Sequence, residues 1–256
     1  MTISVVTGGG DGLGAVIVRA LIDAGRRVLV VDRDVTTCER HGGRSGDASD
    51  GRLELHTADL SSVAEVESLA DTLAVRGDVD LLVNNAGAWS PGHQFPDADR
   101  WLSTMQPNLL TPMTLTQAVW PSLASHAGAV VNIGSSGGEG DDRYGSLEYG
   151  VSKARLRRFT TSLGGRDDVR VMAVVPAWIG LPRAQAEHAR LSPDRRRDAG
   201  HLNDPCEVAA AVVRLAGSGR PGEVAELWGR PATPVVNANS RQGHSPGGRS
   251  TRSGQT

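Results

Sequence analysis

Short, uniformly apolar runs alternate along this chain with longer segments of helical period, and no other feature restricts the fold as much. Runs rich in Val, Ile and Leu at 3–7, 27–32, 53–57, 80–84, 129–135 and 169–176 predict strands, with a last strand near 224–228. They are continuously apolar rather than alternating, as strands covered on both faces require. Between them, 13–24, 62–76, about 97–125, about 148–163 and 205–216 predict helices. Such alternation means an α/β fold, a doubly wound parallel sheet in three layers, α/β/α, with right-handed crossovers. A chain of 256 residues buries roughly three quarters of its unfolded surface and needs no disulfide or metal staple. No repeat or linker divides it, so residues 1–236 are expected to form a single domain.

Three segments depart from the alternation. Residues 40–51 (RHGGRSGDASDG) are too glycine-rich for a helix and predict a loop. Residues 178–200, polar and Arg-rich after a strand's carboxyl end, read as a substrate lid or as a solvated surface helix. Residues 237–256 hold no apolar residue beyond one Ala and predict a disordered tail. The tail carries three Arg and no acid, which leaves −5 on residues 1–236 out of −2 for the whole chain. With 27 basic against 29 acidic residues there is no basic excess to bind nucleic acid or a membrane surface. Cys38 and Cys206 are the only cysteines, which excludes a disulfide framework and, apart from any His cluster, gives no zinc site. No apolar run approaches the roughly 20 residues of a membrane span. The opening MTISVVTGGG lacks a leader pattern, so a cytoplasmic protein is expected.

Directly after the first strand comes Thr7-Gly8-Gly9-Gly10-Asp11-Gly12-Leu13-Gly14 and then an amphipathic helix. Gly8, Gly12 and Gly14 space the loop more widely than the G-x-G-x-x-G fingerprint, but the physics is shared. Glycines let the backbone approach a pyrophosphate, and the helix presents free N–H groups and a positive dipole end to it. Asp32 closes the second strand, where a carboxylate accepts from adenosine ribose hydroxyls and repels a 2′-phosphate. Asp11 adds to that repulsion and Arg33 opposes it, so NAD(H) is expected ahead of NADP(H).

Of the 27 basic residues one alone is lysine, Lys153, and it stands four positions after Tyr149. Positions i and i+4 share a helix face. A cation beside a phenol lowers a pKa that is near 10 in water and fits it for proton exchange. Arginine, bulkier and planar, does not replace a compact ammonium in that role.

With these residues in this order the chain resembles the short-chain dehydrogenase/reductase family, in its smaller single-domain form. The resemblance covers nearly all of residues 1–230. It rests on the T-G-x-x-x-G-x-G loop of Thr7–Gly14, Asp59-Leu60 after strand three and Asn84-Asn85-Ala86-Gly87 after strand four. Asn108 in the long helix, a serine after strand five, and Tyr149 with Lys153 complete it. The resemblance implies a Rossmann-type fold and an NAD(H)-dependent oxidoreductase that interconverts a secondary alcohol and a ketone. It implies that Tyr149 exchanges the substrate's proton and that Lys153 holds the nicotinamide ribose and depresses the phenol's pKa. It implies that Asn108 holds a water linking Lys153 to solvent, and that Asp59 and Leu60 contact the adenine. Asn84 to Gly87 would line the cofactor.

For the serine, two family spacings disagree. Distance from the strand's Ile133 selects Ser135, whereas 13 residues before the tyrosine selects Ser136. Strand geometry aims the side chain, which favours Ser135. After strand six the family has Pro-Gly and a later Thr. Here Pro176-Ala177-Trp178-Ile179-Gly180-Leu181 keeps the proline but lacks the Gly and the Thr, leaving backbone groups of Ile179 or Gly180 to meet the carboxamide. The resemblance also implies a homodimer or homotetramer, although Arg155, Arg157 and Arg158 lie on the helix that such proteins pair through. Trp89, Trp101, Trp178, Tyr144 and His93 follow strand ends and are candidates for substrate contact. An Arg-rich, lysine-poor chain points to a GC-rich bacterial source, where such enzymes often act in secondary metabolism. Two rival readings stay open: a non-catalytic NAD-binding regulator, and an enzyme of this fold performing dehydration, epimerisation or cyclisation.

Overall fold

A computed structural model describes residues 2–37, 51–89, 95–139 and 145–229. His93, Tyr144, Cys38, most of the 40–51 loop and the expected tail 237–256 lie outside the described residues. Seven parallel strands form one sheet: β1 (Ile3–Thr7), β2 (Val28–Asp32), β3 (Leu53–Thr57), β4 (Val79–Asn84), β5 (Ala129–Ile133), β6 (Arg170–Pro176) and β7 (Val224–Leu227). Their order is 3-2-1-4-5-6-7, which reverses direction between β1 and β4. That switch point is where ligands bind in open α/β sheets, outside the strands' carboxyl ends. The expected doubly wound parallel fold is thus observed.

Helices α1 (Gly12–Asp23) and α8 (Pro205–Ser218) cover one face of the sheet, and α2 (Val63–Arg76) and α4 (Thr111–Ser125) the other. Alternate strand positions serve the two faces. Val28 and Val30 pack with Ile17 and Leu21, while Leu29 and Val31 pack with Leu69 and Leu73. This is why the runs read as uniformly apolar. Each fully buried Val or Leu contributes about 1.5–3 kcal/mol, so the frame holds without help from the site. β3 departs from the expectation, since its residues are only half-buried or exposed. It is an edge strand, and salt bridges from Arg27 and Arg76 to its Glu54 occupy part of what a further layer would cover.

The long helix expected at 97–125 is broken. Helix α3 (Ala98–Met105) ends in a π-helical turn, Gln106–Leu110, and α4 begins at Thr111. Pro107 and Pro112 supply the cause: neither has an N–H to continue the i→i−4 ladder. The predicted fifth strand also stops two residues early, at Ile133. Helix α5 (Leu147–Ser162) matches its expectation within a residue. The 178–200 segment holds two short helices, α6 (Pro182–Arg190) and α7 (Pro193–Ala199). No described helix is long and apolar enough to cross a membrane.

Candidate active site

The glycine loop is shaped by contacts that leave no room for side chains. Gly8 sits at φ 63°, and a Cβ there would lie 2.9 Å from Ala86 Cα. A Cβ on Gly14 would fall 1.8 Å from the Gly8 carbonyl oxygen. Asn85 staples this loop to the end of β4, donating through Nδ2 to the carbonyls of Thr7 and Gly8 at 3.0 and 2.9 Å. Thr7 Oγ1 accepts from the N–H groups of Asn85 and Ala86. Asp11 caps α1 by accepting from the Gly12 N–H at 2.7 Å, so one helix-end donor is already taken. The next N–H groups, of Leu13 and Gly14, belong to the first turn and have no intrahelical partner. The Leu13 side chain itself turns into the core.

Two carboxylates mark the far end of this groove. Asp32 accepts from the Gly10 N–H at 2.9 Å and from the Asp34 N–H at 3.2 Å, which orients it while sparing lone pairs for further donors. Asp59 accepts from the Ser61 hydroxyl and N–H at 2.7 and 2.9 Å. These bonds, with a smaller effect of the Arg33 charge, hold its carboxyl below the usual range. The Asp59 N–H donates to Glu65, whose own N–H is capped by Ser62, so the start of α2 fixes the Asp59-Leu60 turn. Leu60 is buried, and its carbonyl accepts from Thr111 at the start of α4.

On the other side of the switch point, Lys153 and Asn108 converge on Gly87. A Cβ on Gly87 would lie 2.6 Å from Asn108 Oδ1 and 3.4 Å from Lys153 Nζ. Asn108 clasps Ala88 both ways, accepting from its N–H and donating to its carbonyl, each at 2.8 Å. It sits in the π turn, and Pro112 offers no N–H to its carbonyl four residues back. Lys153 is buried, donates to the Ile133 carbonyl at 2.9 Å, and lies 5.9 Å from the Tyr149 ring centroid. Desolvation lowers its ammonium from 10.5 to about 8. Ser135 continues the extended direction of β5 (φ −162°, ψ 146°) and accepts from the Gly137 N–H, keeping its own O–H to donate. Ser136, also buried, opens the 3₁₀ turn that follows.

A family model described as short chain dehydrogenase matches residues 2–190. The chain belongs to the short-chain dehydrogenase family. It is 32% identical over 228 residues to L-fucose dehydrogenase of Mus musculus, covering 83% of this chain and 81% of that protein. It is 34% identical over 230 residues to galactitol 2-dehydrogenase of Rhizobium johnstonii, covering 83% and 87%. Among solved structures, the Pseudomonas aeruginosa RhlG/NADP active-site complex superimposes with a TM-score of 0.71 at 29% identity, over 89% of this chain and 95% of that one.

This short-chain dehydrogenase departs from its family after β6. Ala177 stands without strain, because Ala127 is the sole described non-glycine residue with positive φ. The Gly180 N–H is committed to the Asn203 carbonyl at 2.8 Å, so of the two backbone candidates Ile179 remains. Buried Asn203 also donates through its side chain to the Leu227 carbonyl, which ties both feet of the 178–200 segment to the sheet. Pro176, buried, ends β6 beneath them. The segment reaches over the groove. Leu181 Cδ1 comes within 3.7 Å of where a Cβ on Gly12 would be, and the Arg183 guanidinium lies 4.4 Å from the Trp89 ring centroid. An exposed cation–π contact contributes about 0.5–1 kcal/mol, enough to hold such a cover but not to lock it.

Some features of this short-chain dehydrogenase carried no sequence signal. The Arg100–Glu148 ion pair joins residues 48 apart, which no local spacing rule brings together. The same holds for Arg183 over Trp89. The π turn was missed in the expected helix of 97–125, although the two prolines that bracket Asn108 are the signal that could have shown a break there.

Proposed function

We propose that this short-chain dehydrogenase interconverts a secondary alcohol and a ketone with NAD(H), Tyr149 exchanging the proton. The observation that carries the reading is the convergence of buried Lys153 and Asn108 on Gly87, with Tyr149 on the same helix face as Lys153. The residues present suit a dinucleotide: Gly12 leaves space at the loop, the Leu13 and Gly14 N–H groups have no intrahelical partner, and Asp32 keeps lone pairs for further donors. Gly8, Gly12 and Gly14 would admit the pyrophosphate, Asp32 and Asp59 the adenosine, Ala86, Gly87, Lys153 and Ile179 the nicotinamide end. The bound nicotinamide supplies or accepts the hydride. Tyr149 donates its phenolic proton to the oxygen of a carbonyl substrate, and Ser135 donates a hydrogen bond to the same oxygen. The Lys153 charge favours the phenolate left behind. Asn108, whose side chain clasps Ala88 beside Lys153, holds the water that returns the proton from solvent. Relatives named as dehydrogenases of a sugar and of a sugar alcohol support a substrate bearing a hydroxylated carbon.

The test is oxidation of NADH against a panel of ketones with product mass measured. A gain of two hydrogens is expected. NADH binding without turnover on any substrate favours the regulator, and a product lacking that gain favours dehydration, epimerisation or cyclisation. NAD(H) is expected ahead of NADP(H) because Asp32, with Asp11 adding to it, repels a 2′-phosphate, against the single charge of Arg33. Asp32→Ala is expected to move the ratio of kcat/KM for NADH over NADPH by about ten- to a hundredfold, the scale of one charge–charge repulsion. An unchanged ratio means another group reads the ribose.

The protein is further proposed to assemble as a homodimer or homotetramer through α4 and α5. Half-exposed Met113, Trp120, Phe159 and Leu163 line an apolar hollow of about 280 Å³ between those helices. Arg157 turns away from that surface to Glu139 and Glu226. Light scattering of the pure protein reports the state.

A further inference from the structure

A partly buried ion pair beside Tyr149 takes no part in the chemistry above. Glu148 is wholly buried, and its Oε1 accepts from Arg100 Nε at 2.6 Å. Arg100 belongs to α3, whose N-cap Asp97 accepts the Arg100 N–H at 2.9 Å. From α3 the chain runs without a loop into the π turn that carries Asn108. Glu148 lies in the first turn of α5, one residue before Tyr149 and five before Lys153. A negative charge there also suits the positive end of the helix. Burial is the largest single influence and pushes the Glu148 carboxyl up, but the bond from Arg100, its own backbone N–H, Ser146 and the Arg100 charge together hold it below the usual carboxylate range.

Such a pair adds little to stability alone, since desolvating the Glu148 charge costs about as much as the attraction to Arg100 returns. Its directional bond does fix the relation of the two elements it joins. Here those elements are the arm bearing Asn108 and the helix bearing Tyr149 and Lys153. We propose that Arg100 and Glu148 are positioning residues, joined in one ion pair that sets α5 against the Asn108 arm and so holds Tyr149 and Lys153 together in register with Asn108. The inference rests on the proposed role of Tyr149.

The experiment compares wild type with E148Q, R100K and the double variant R100M/E148L, in steady-state kinetics with NADH and the best ketone of the panel, alongside melting temperatures. Glu148→Gln keeps shape and an acceptor but removes the charge. It is expected to lower kcat by about ten- to a hundredfold, the loss that follows a displacement of about 1 Å in a reacting group. KM for NADH should stay within about twofold, and the alkaline limb of the kcat–pH profile should move with kcat. R100K, which retains the charge opposite Glu148, should lose much less kcat than E148Q. The double variant leaves no unpaired charge, so its melting temperature should return towards wild type while kcat stays low. If kcat recovers together with melting temperature in the double variant, the pair is merely structural and the proposal falls. It falls equally if E148Q keeps wild-type kcat and pH profile. Failure of the wild type itself to reduce any ketone instead overturns the dehydrogenase reading.

Discussion

Replacing Lys153 with arginine is expected to lower turnover by about two orders of magnitude or more, within the range attributed to acid–base catalysis. The site has no space for the larger group. The ammonium sits between the Ile133 carbonyl, 2.9 Å away, and a Gly87 that is itself pressed against Asn108. A planar guanidinium there must displace Asn108 or leave the phenol. Stopped-flow or steady-state NADH oxidation checks the result, and near-normal turnover would count against the assigned role. A second replacement separates chemistry from stability. Lys153→Met should be inactive yet more stable at neutral pH. A lysine whose pKa falls from 10.5 to about 8 on folding destabilises the native state fully below about pH 8, and the cost fades as pH rises towards 10.5. After the lost hydrogen bond to Ile133 is counted, the gain should be about 1–3 kcal/mol at pH 7 and shrink across that window. Urea titrations at pH 7 and pH 10 measure it. A destabilised variant at pH 7 means that burial of the charge is not the dominant cost.

Gly14→Ala is the second large effect. Its new Cβ would lie 1.8 Å from the Gly8 carbonyl oxygen and 2.7 Å from Asn85 Nδ2. Neither neighbour is free to retreat, because Asn85 holds the Gly8 carbonyl at 2.9 Å and the loop is locked between β1 and β4. The overpacking should cost about 3 kcal/mol or more, a fall in melting temperature of roughly 6–12 °C, with loss of NADH binding. Gly165→Ala, where a Cβ meets nothing within 4 Å, is the control and should shift melting by less than about 2 °C. Equal melting temperatures for the two variants would mean that the loop adopts another conformation.

The path from residues to site was uneven, and the reasons are physical. β1, β2 and β4 were visible as apolar runs because both faces of each strand are buried, a pattern that period and composition record locally. The Gly8–Gly14 loop was visible because a close backbone approach excludes every side chain but hydrogen. Tyr149 and Lys153 were visible because a helix brings i and i+4 together whatever else the fold does. β3 was grouped with the fully covered strands although Leu53-Glu54-Leu55-His56-Thr57 alternates apolar with polar residues, and the sheet order, which places it at the edge, explains that alternation.

Local chemistry alone therefore determined the strands, the glycine turn and the phenol–ammonium pair, and with them the doubly wound class. Tertiary structure decided the rest. It brought Asn108 and Lys153 from separate elements onto Gly87, paired Arg100 with Glu148 across 48 residues, spent the Gly180 N–H on Asn203, and laid Arg183 on Trp89. These contacts arise from packing between segments distant in the chain. Their energies depend on distance and burial, quantities that residue order does not contain.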